Sequence, residues 1–298
     1  MTHQPTHRPL VLVTGSAGQL GSCFREVHPV FPEFEFLFAD RQGLDITLRH
    51  HVLEMIESVK PAAVINCAAY TNVERAESEE EMAFLLNAKA PQFLAEACAE
   101  ANALFVHFST DYVFGGKSDV PYRETDETGP LNAYGRTKLE GERLIDNACD
   151  RYLILRISWL YSRYGHNFYR TMRRLAHEKD ELDVVDDQFA SPTSGHSLAS
   201  DTLKWLNHIL LQTKHTEYGI YHYTQSGITS WKEFAEEIIA LCGAHTKVKG
   251  VPTSEYPSRA QRPLHSKLDA RKFFEATGFS DLSWQRALAD CILNDITQ

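Results

Sequence analysis

A tyrosine and a lysine stand four residues apart, at Tyr134 and Lys138, in a run whose spacing predicts a helix that extends to about Asn147. Residues four apart on a helix share one face and lie about one turn from each other. A nearby ammonium favours the phenolate, so the spacing predicts that Lys138 lowers the pKa of Tyr134 and that the pair transfers protons. A tyrosine and a lysine at this spacing are common by chance. Whether the pair is catalytic therefore has to be judged from the sequence elements around it.

Other polar side chains follow apolar runs that predict buried strands. Thr110 follows the run 104–108, and Tyr70 and Thr71 follow the run 62–69. Open α/β sheets bind ligands at the carboxyl ends of their strands, so we expect these side chains at a ligand site. The run 62–69 also ends in small residues, where backbone could approach a cofactor.

A glycine turn follows the first predicted strand, 10–14. Gly15, Gly18 and Gly21 form a G-x-x-G-x-x-G pattern, and a helical pattern comes next. Such glycines permit a tight turn, close approach of backbone to a pyrophosphate, and close packing of the helix on the strand. The helix N-terminus also offers N–H groups to phosphates. Strand, turn and helix in this order predict a dinucleotide site.

Asp40 ends the second predicted strand, 34–39, about 20 positions beyond the glycine turn. An acid there commonly binds the adenosine ribose hydroxyls, whereas an arginine such as Arg41 could accept a 2′-phosphate. The two residues favour different cofactors, so NADH and NADPH both stay open. The segment 45–47 predicts a loop and N-cap before a helix at about 48–59.

Strands that alternate with helices at this rhythm predict an α/β fold with a Rossmann-type, doubly wound parallel sheet. The fifth predicted strand, 153–157, completes a dinucleotide-binding domain at residues 8–160. We expect residues 161–298 to form a smaller, mixed substrate-binding region that partly packs back on the first domain. In this region we predict helices at 168–177, 196–211 and 231–242, a short strand at 182–185 and a polar loop at 186–193.

Composition narrows the function classes. Of the 298 residues, 43% are hydrophobic, enough for a sizeable core. The net charge of -10 argues against nucleic-acid binding as the main function.

Six scattered cysteines without a signal peptide predict a reducing, cytoplasmic setting. No apolar run approaches the roughly 20 residues that span a bilayer, so no membrane association is expected, and residues 1–9 predict a loose tail.

The glycine turn, the strand end at Thr110 and the Tyr134/Lys138 pair occur in the order of the extended short-chain dehydrogenase/reductase superfamily. Further blocks lie outside the generic superfamily signature: S-T-D-Y-V-F at 109–114, P-L-N-A-Y-G-R-T-K-L-E-G-E at 130–142, R-I-S-W-L-Y at 156–161, D-Q-F-A-S-P-T at 187–193 and R-P at 262–263. Together they resemble the dTDP-4-dehydrorhamnose reductase family. The resemblance runs from about Leu10 to the end of the chain.

This resemblance implies the last step of dTDP-L-rhamnose synthesis. A reduced nicotinamide would reduce the C4 ketone of dTDP-4-dehydrorhamnose, and Tyr134 would donate the proton to the developing alkoxide. Lys138 would lower the pKa of Tyr134 and bind the nicotinamide ribose. Thr110 would hydrogen-bond the carbonyl oxygen, and Asp111 joins these three in the implied catalytic set.

The resemblance also implies the residues of two binding sites. The implied substrate site comprises Thr71, Thr110, Asp111, Tyr112, Trp159 packed against the sugar, and Arg262, whose planar guanidinium suits the diphosphate. The implied site for NADPH or NADH comprises Gly15, Ala17, Gly18, Gln19, Leu20, Gly21, Asp40, Arg41, Asp45, Ile46, Ala68, Ala69, Tyr70, Tyr134 and Lys138.

One position departs from the family pattern. Some members carry a glutamate two residues after the third glycine and use it in a Mg²⁺ site at a dimer interface, whereas Cys23 stands there in this chain. We therefore expect no metal, and any homodimer would lack the metal-bridged interface. Activity that EDTA abolishes and Mg²⁺ restores would contradict this expectation.

Two alternatives stay open. Dehydratases of the superfamily carry an Asp-Glu pair just after the Ser/Thr, whereas Thr110 is followed by Asp111 and Tyr112, which favours simple reduction over a 4,6-dehydratase or 4-epimerase. The regulatory β subunit of methionine adenosyltransferase shares the fold, but a regulatory protein need not keep Thr110, Tyr134 and Lys138. The presence of all three favours an enzyme.

Overall fold

A computed structural model describes residues 8–212 and 214–296 of the chain. The predicted loose tail lies outside this part of the chain except for Arg8 and Pro9. The strands are β1 (Leu10–Thr14), β2 (Glu35–Ala39), β3 (Ala63–Asn66), β4 (Leu104–Thr110), β5 (Tyr152–Ile157), β6 (Leu160–Tyr161), β7 (Glu181–Val185), β8 (Phe189–Ala190), β9 (Thr193–Ser194), β10 (Gly219–Tyr223), β11 (Thr229–Ser230) and β12 (Lys247–Val251). The helices are α1 (Gln19–Val27), α2 (Arg49–Val59), α3 (Val73–Ala76), α4 (Glu80–Phe84), α5 (Ala90–Glu100), α6 (Ala133–Ala148), α7 (Phe168–Leu175), α8 (Gly195–Leu210), α9 (Trp231–Leu241), α10 (Arg271–Thr277) and α11 (Trp284–Ile296), with a π-helical turn at Leu85–Lys89 and 3₁₀ turns at His28–Val30, Asp111–Val113 and Thr253–Glu255.

The central sheet has six parallel strands in the order β10-β5-β4-β3-β1-β2. Helices cover both of its faces, which explains why its strands read as continuous apolar runs in the sequence. In β1, Val11 and Val13 lie in one core with α1 and α8, whereas Leu12 lies in the other core with α2 and α5. The predicted Rossmann-type, doubly wound parallel sheet is confirmed.

The edge strand β10 was not predicted, and it comes from the C-terminal region. It pairs in parallel with β5, with Ile220 opposite Ile154. The ring of Tyr221 in β10 meets the ring of Trp205 in α8 edge-on, with centroids 4.9 Å apart. Trp205 in turn packs edge-on against Phe273 of α10 at 5.2 Å. The C-terminal region therefore adds one strand and helical cover to the sheet.

Two strands end at residues other than those predicted from the apolar runs. β3 ends at Asn66 rather than at 69, because the side-chain oxygen of Asn66 accepts the Ala68 N–H at 3.1 Å in a local turn. β4 continues through Thr110 rather than stopping at 108, since its pairing with β5 extends to Thr110 opposite Ile157. Both corrections concern the carboxyl edge of the sheet, where the predicted ligand site lies.

The start of α2 also differs from the prediction. Its N-cap is Leu48, which makes no side-chain capping bond. Asp45 instead accepts the hydroxyl of Thr47 at 2.6 Å and its backbone N–H at 3.0 Å. The hydroxyl bond, above all, lowers the pKa of Asp45 below its usual value. The Asp45 carboxylate closes a local turn before the helix and does not cap it.

The C-terminal region forms a core of its own between α7, α9 and α11. Helices α8 and α9 confirm the predicted helices within one residue at each end, whereas α7 ends at Leu175 rather than at 177. β7 confirms the predicted short strand and pairs with β12. The predicted loop 186–193 contains the two-residue strand β8 and the first residue of β9, and these strands pair with β11 and β6. Within the described residues, no helix is both long and apolar enough to cross a membrane.

Candidate active site

Helix α6 positions the tyrosine and the lysine of the Y-x-x-x-K pattern. Its N-cap is Asn132, whose side-chain oxygen accepts the Gly135 N–H at 2.8 Å. One turn apart, Tyr134 and Lys138 face the same cleft. Lys138 Nζ donates to the Phe108 carbonyl of β4 at 2.6 Å, which fixes this face of α6 against the central sheet. The predicted helix is confirmed.

The pKa of Tyr134 is shifted in the direction opposite to the one predicted from the spacing. Burial of the phenol raises its pKa to about 12, although a hydrogen bond with Thr110 lowers it. Lys138 Nζ bonds elsewhere, since it lies 2.9 Å from His107 Nε2 and donates to the Phe108 carbonyl. The phenol therefore keeps its proton in this state, which suits a proton donor.

Asp111 is buried at the end of β4, beside Tyr134. Its carboxylate accepts the Thr110 hydroxyl at 3.1 Å and a short hydrogen bond from the Ser266 hydroxyl. Burial raises the pKa of Asp111 to about 7, although both hydroxyl donors lower it. An acid with this pKa exchanges its proton near neutrality, at the wall of the cleft.

Asp111→Asn is expected to increase the stability of the protein at neutral and alkaline pH. The folded-state pKa of Asp111 is about 7 against an ordinary value of 3.8, so the folded state binds this proton more tightly and wild-type stability falls between these two pH values. The amide carries no charge and keeps an oxygen for the Ser266 hydroxyl. Thermal unfolding at several pH values should show a stability difference that widens from about pH 4 to about pH 7 and is constant above pH 8. A difference that does not vary with pH would contradict the raised pKa.

The glycine turn between β1 and α1 forms a backbone cradle that packs too closely on neighbouring backbone to hold side chains at Gly15 and Gly21. Gly15 has a φ of +62°, and a Cβ there would lie 2.5 Å from the Ala68 nitrogen. A Cβ on Gly21 would lie 2.5 Å from Ser16 Cα. Gly18 is the N-cap of α1 and makes no side-chain cap, so the first-turn N–H groups are free for an anion. This cradle fits the phosphates of NAD(P)H.

A cleft of about 380 Å³ lies at the carboxyl edge of the sheet and brings predicted residues of all three kinds together. Its lining includes Thr110, Asp111, Tyr134 and Lys138 from the catalytic set, Gly18, Gln19, Leu20, Ala68 and Ala69 from the cofactor set, and Thr71 and Trp159 from the substrate set. The strand-end hydroxyl, the glycine turn and the tyrosine therefore meet at one site.

The residues predicted to bind the adenosine end lie at the end of β2, outside the lining of this cleft. Asp40 accepts the backbone N–H groups of Gln42 and Gly43 at 3.0 and 2.9 Å. Arg41 is exposed and lies 3.9 Å from Asp45. An acid for ribose hydroxyls and a cation for a 2′-phosphate are thus both present, as the sequence predicts.

Three further residues of the predicted cofactor site lie outside the lining of the cleft. Ala17 is exposed on the glycine turn. Ile46 is buried in the core against α2 and α5. The Tyr70 hydroxyl donates to Glu79 at 2.6 Å. The side chains of Ile46 and Tyr70 are therefore engaged within the protein.

Two tryptophans stack in the wall of the cleft. The rings of Trp159 and Trp231 have centroids 3.5 Å apart and planes within 10° of each other. Trp159 has a φ of +46°, a strained conformation for a bulky residue. The Trp231 indole N–H donates to Gln188 at 3.1 Å, which fixes the pair. Because Trp231 covers one face of Trp159, a sugar could meet only its other face or its edge.

Arg262 lines a second cavity of about 620 Å³, which adjoins the cleft and shares Thr71, Phe168 and Trp231 with it. The Arg262 guanidinium donates to the Glu74 carboxylate at 2.9 Å. Its Nε is buried and has no partner among the described residues. The planar guanidinium of Arg262, which lines this cavity, is suited to bind an anionic group of a ligand.

The structure places one predicted substrate residue behind the site and adds residues that were not predicted, among them His166 and Trp231. Tyr112 lines neither cavity, and its ring packs edge-on against Tyr134 at 5.9 Å. His166 and Trp231 line both cavities. Trp231 begins α9 after the Ser230 capping box, a signal that marks a helix start in the sequence but does not show where the indole points.

Comparison with known proteins identifies the family. The family model described as RmlD substrate binding domain matches residues 9–296. The dTDP-4-dehydrorhamnose reductase of Aggregatibacter actinomycetemcomitans is 40% identical over 284 residues, which cover 93% of this chain and 96% of that protein. The chain belongs to the dTDP-4-dehydrorhamnose reductase family. The resemblance inferred from the motifs is confirmed.

Two solved structures of the dTDP-4-dehydrorhamnose reductase family show the same fold. The reductase of Clostridium acetobutylicum has a TM-score of 0.91 and 38% identity, and the match covers 97% of this chain and 100% of that one. The reductase of Bacillus anthracis, solved in complex with NADP, has a TM-score of 0.90 and 35% identity with the same coverage. The likeness therefore includes the C-terminal region as well as the parallel sheet.

Cys23, at the position where some members of the family carry a glutamate, is buried on α1. Its thiol donates to the Gln19 carbonyl at 3.3 Å, and burial raises its pKa to about 12. Among the described residues, no group of three or more His, Cys, Asp or Glu side chains is placed to hold a metal ion. Activity that is independent of added Mg²⁺ stays a prediction.

Proposed function

We propose that the protein reduces the C4 ketone of dTDP-4-dehydrorhamnose to dTDP-L-rhamnose with NADPH or NADH. Membership of the reductase family supports this reaction. The main structural support for this reaction is that Thr110, Tyr134 and Lys138 lie in one cleft with the glycine turn. A relative solved with NADP supports the nicotinamide cofactor.

The cofactor would lie along the carboxyl edge of the sheet. The cradle at Gly15 and Gly21 would hold the pyrophosphate of the cofactor. Asp40 or Arg41 would bind its adenosine end, and Lys138 would bind its nicotinamide ribose. When bound, the reduced nicotinamide supplies the hydride for C4 of the sugar. The glycine turn supports this arrangement because its backbone packs so closely that a Cβ at Gly15 or Gly21 would clash with the backbone of Ala68 or Ser16.

Proton delivery to the sugar oxygen is assigned to Tyr134. Its pKa of about 12 keeps the phenol protonated until negative charge develops on the ketone oxygen. The Thr110 hydroxyl, which is hydrogen-bonded with the phenol, would share the same oxygen and stabilise its developing charge. In the ligand-free state this hydroxyl donates to Asp111 at 3.1 Å, and because it has one proton, it would turn from Asp111 to the sugar oxygen when the substrate binds.

The two adjoining cavities suggest how a sugar nucleotide would lie. The sugar would enter the cleft at Tyr134, and the diphosphate would lie in the second cavity at Arg262. The passage between them would be lined by the residues that both cavities share: Thr71, His166, Asn167, Phe168 and Trp231. This arrangement makes Arg262 the anchor of the nucleotide part.

A coupled assay tests the proposal. The 4-keto-6-deoxy sugar nucleotide is generated in place, oxidation of NADH and of NADPH is followed separately, and the product is identified. We expect cofactor oxidation that depends on the sugar nucleotide, with dTDP-L-rhamnose as the product. Formation of a 4-keto-6-deoxy product from dTDP-glucose and NAD⁺ would show a dehydratase, and no turnover with either cofactor would favour a regulatory protein.

Arg262→Lys is expected to raise the KM for the sugar nucleotide roughly tenfold with little change in kcat, a loss of about 1.4 kcal/mol. Lysine keeps the charge but loses the planar fork that binds a diphosphate at two points. The matched control is Arg259→Lys, because Arg259 is an exposed arginine on the same segment. Equal KM values for both variants and the wild type would exclude Arg262 from diphosphate binding.

The proposal places the protein in a reducing compartment, the cytoplasm. All six cysteines are free: Cys23, Cys67, Cys98, Cys149, Cys242 and Cys291. Burial raises the pKa of the Cys67 and Cys98 thiols well above their usual value, which keeps them as unreactive thiols. These buried free thiols support a setting in which disulfides do not form.

A further inference from the structure

A buried chain of polar side chains leads from Lys138 away from the cleft. Lys138 Nζ lies 2.9 Å from His107 Nε2, and His107 Nδ1 lies 3.0 Å from the Asn66 amide nitrogen. The Asn66 oxygen accepts the Thr14 hydroxyl at 2.7 Å. All four side chains are essentially inaccessible to solvent. The proposed reaction uses Lys138 but gives no role to the other three.

The orientation of the Asn66 amide is fixed by the backbone. The Ala68 N–H can only donate, and it lies 3.1 Å from the Asn66 side-chain oxygen. The Thr14 hydroxyl meets the same oxygen. The atom that faces His107 is therefore the NH₂ group of Asn66, which can only donate.

This orientation sets the tautomer of His107. Its Nδ1 accepts from the Asn66 NH₂ group, so the proton of the neutral imidazole is on Nε2. Burial lowers the pKa of His107 well below its usual value, so the ring is neutral. The Nε2–H group points at Lys138 Nζ.

A hydrogen bond from Nε2–H to Lys138 requires an acceptor, and only the neutral amine has a lone pair. The amine can still donate to the Phe108 carbonyl, which lies 2.6 Å from Nζ. We propose that Asn66 and His107 act as positioning residues that hold Lys138 as a neutral amine in the cofactor-free enzyme. This inference extends the proposed function, because it concerns the state of the reductase before the cofactor binds.

The charges around Lys138 agree with a neutral amine. None of the described carboxylates lies within ion-pair distance of Nζ. Glu142, one turn further along α6, favours the ammonium but is paired with Arg156 at 2.7 Å. Burial lowers the pKa of Lys138 to about 8, and a donor at His107 Nε2 acts in the same direction.

A neutral Lys138 has a consequence for Tyr134. An ammonium one turn away would favour the phenolate, whereas an amine leaves the phenol with its proton. The pKa of Tyr134, about 12, agrees with this state, and Asp111 raises that pKa further. Asn66 and His107 thus keep the Tyr134 phenol protonated before the cofactor binds.

Nuclear magnetic resonance of the cofactor-free protein tests the proposal directly. In protein labelled with ¹⁵N at histidine and lysine, the His107 signals are assigned by their loss in His107→Gln. At about pH 9.5, above the pKa of about 8 for Lys138 and below the ordinary lysine value, we expect the Nε2–H tautomer of His107 and the shift of a neutral amine at Lys138. An Nδ1–H tautomer, or an ammonium at Lys138, would overturn the proposal whether or not the protein is active as a reductase.

Two variants of the chain add a directional test. Asn66→Asp replaces the donor that faces His107 with an acceptor, so we expect the Nδ1–H tautomer, an ammonium at Lys138 at about pH 9.5, and a basic limb of kcat/KM at higher pH than in the wild type. Thr14→Val removes the other donor to the Asn66 oxygen but leaves the Ala68 N–H, so the wild-type tautomer should persist. An unchanged tautomer and an unchanged pH profile in Asn66→Asp would also overturn the proposal.

Discussion

Tyr134→Phe is expected to lower the kcat of the reductase by at least about 10²-fold, the scale of general acid catalysis. The phenol is the proton donor in the proposed reaction, and its pKa of about 12 keeps it protonated at neutral pH. Phenylalanine keeps the ring that packs edge-on against Tyr112 at 5.9 Å, so the fold and the cleft should persist. Steady-state rates, together with cofactor titration and thermal unfolding, separate the loss of chemistry from a loss of binding or of structure.

Tyr152→Phe is the matched control for this result. Tyr152 begins β5, and its hydroxyl donates to Asp146 near the far end of α6, so this variant removes the same hydroxyl group at a site outside the cleft. We expect its kcat to stay within about twofold of the wild type. If Tyr134→Phe kept the activity of this control, the assignment of Tyr134 as proton donor would be wrong.

The strand-end rule explains why so much of the site could be predicted from the sequence. Thr110, Ala68 and the glycine turn each follow an apolar run, and parallel strands bring their carboxyl ends to one edge. Local patterns were sufficient because each of these residues is placed by its own strand. The same holds for Tyr134 and Lys138, which α6 alone sets on one face.

Long-range packing explains what the sequence could not predict. The edge strand β10 carries the aromatic residues Tyr221 and Tyr223, but its position beside β5 depends on cover from α8 and α10. Trp231 reaches the cleft only because α9 packs against α7 and α11. The stack of Trp231 on Trp159 brings together residues 72 positions apart.

The electrostatics of the site also depend on tertiary structure. The spacing of Tyr134 and Lys138 predicts a lowered phenol pKa, yet burial raises it. The reason is that Lys138 Nζ meets His107 and the Phe108 carbonyl, groups of β4 that helical spacing does not reveal. A one-turn separation thus shows that two groups share a face but not which partner each one takes.

A buried ion pair behind the site joins α6 to β4 and β5. The Glu142 carboxylate accepts from Arg156 at 2.7 Å, and the Ser109 hydroxyl donates a short hydrogen bond to it. The side chains of Glu142 and Arg156 are only 2% and 3% exposed, so neither charge can be solvated if its partner is lost. The Arg156 guanidinium also lies 5.1 Å from the ring centroid of Phe114. The ion pair therefore fixes α6 to β5, and the Ser109 hydrogen bond fixes it to β4, the strand that ends at Thr110.

Glu142→Gln is expected to lower the free energy of unfolding by about 3–5 kcal/mol, because it leaves the Arg156 guanidinium buried without a counter-charge. The exposed pair Arg174–Glu178 provides the control, and Glu178→Gln should cost no more than about 0.5 kcal/mol. Denaturant unfolding of both variants measures the difference. Replacing both partners, as Glu142→Leu with Arg156→Met, should recover most of the loss, since a buried pair is often no more stabilising than apolar residues of similar volume. A single and a double variant with equal losses would show that the pair contributes through packing and hydrogen bonds rather than through compensation of charge.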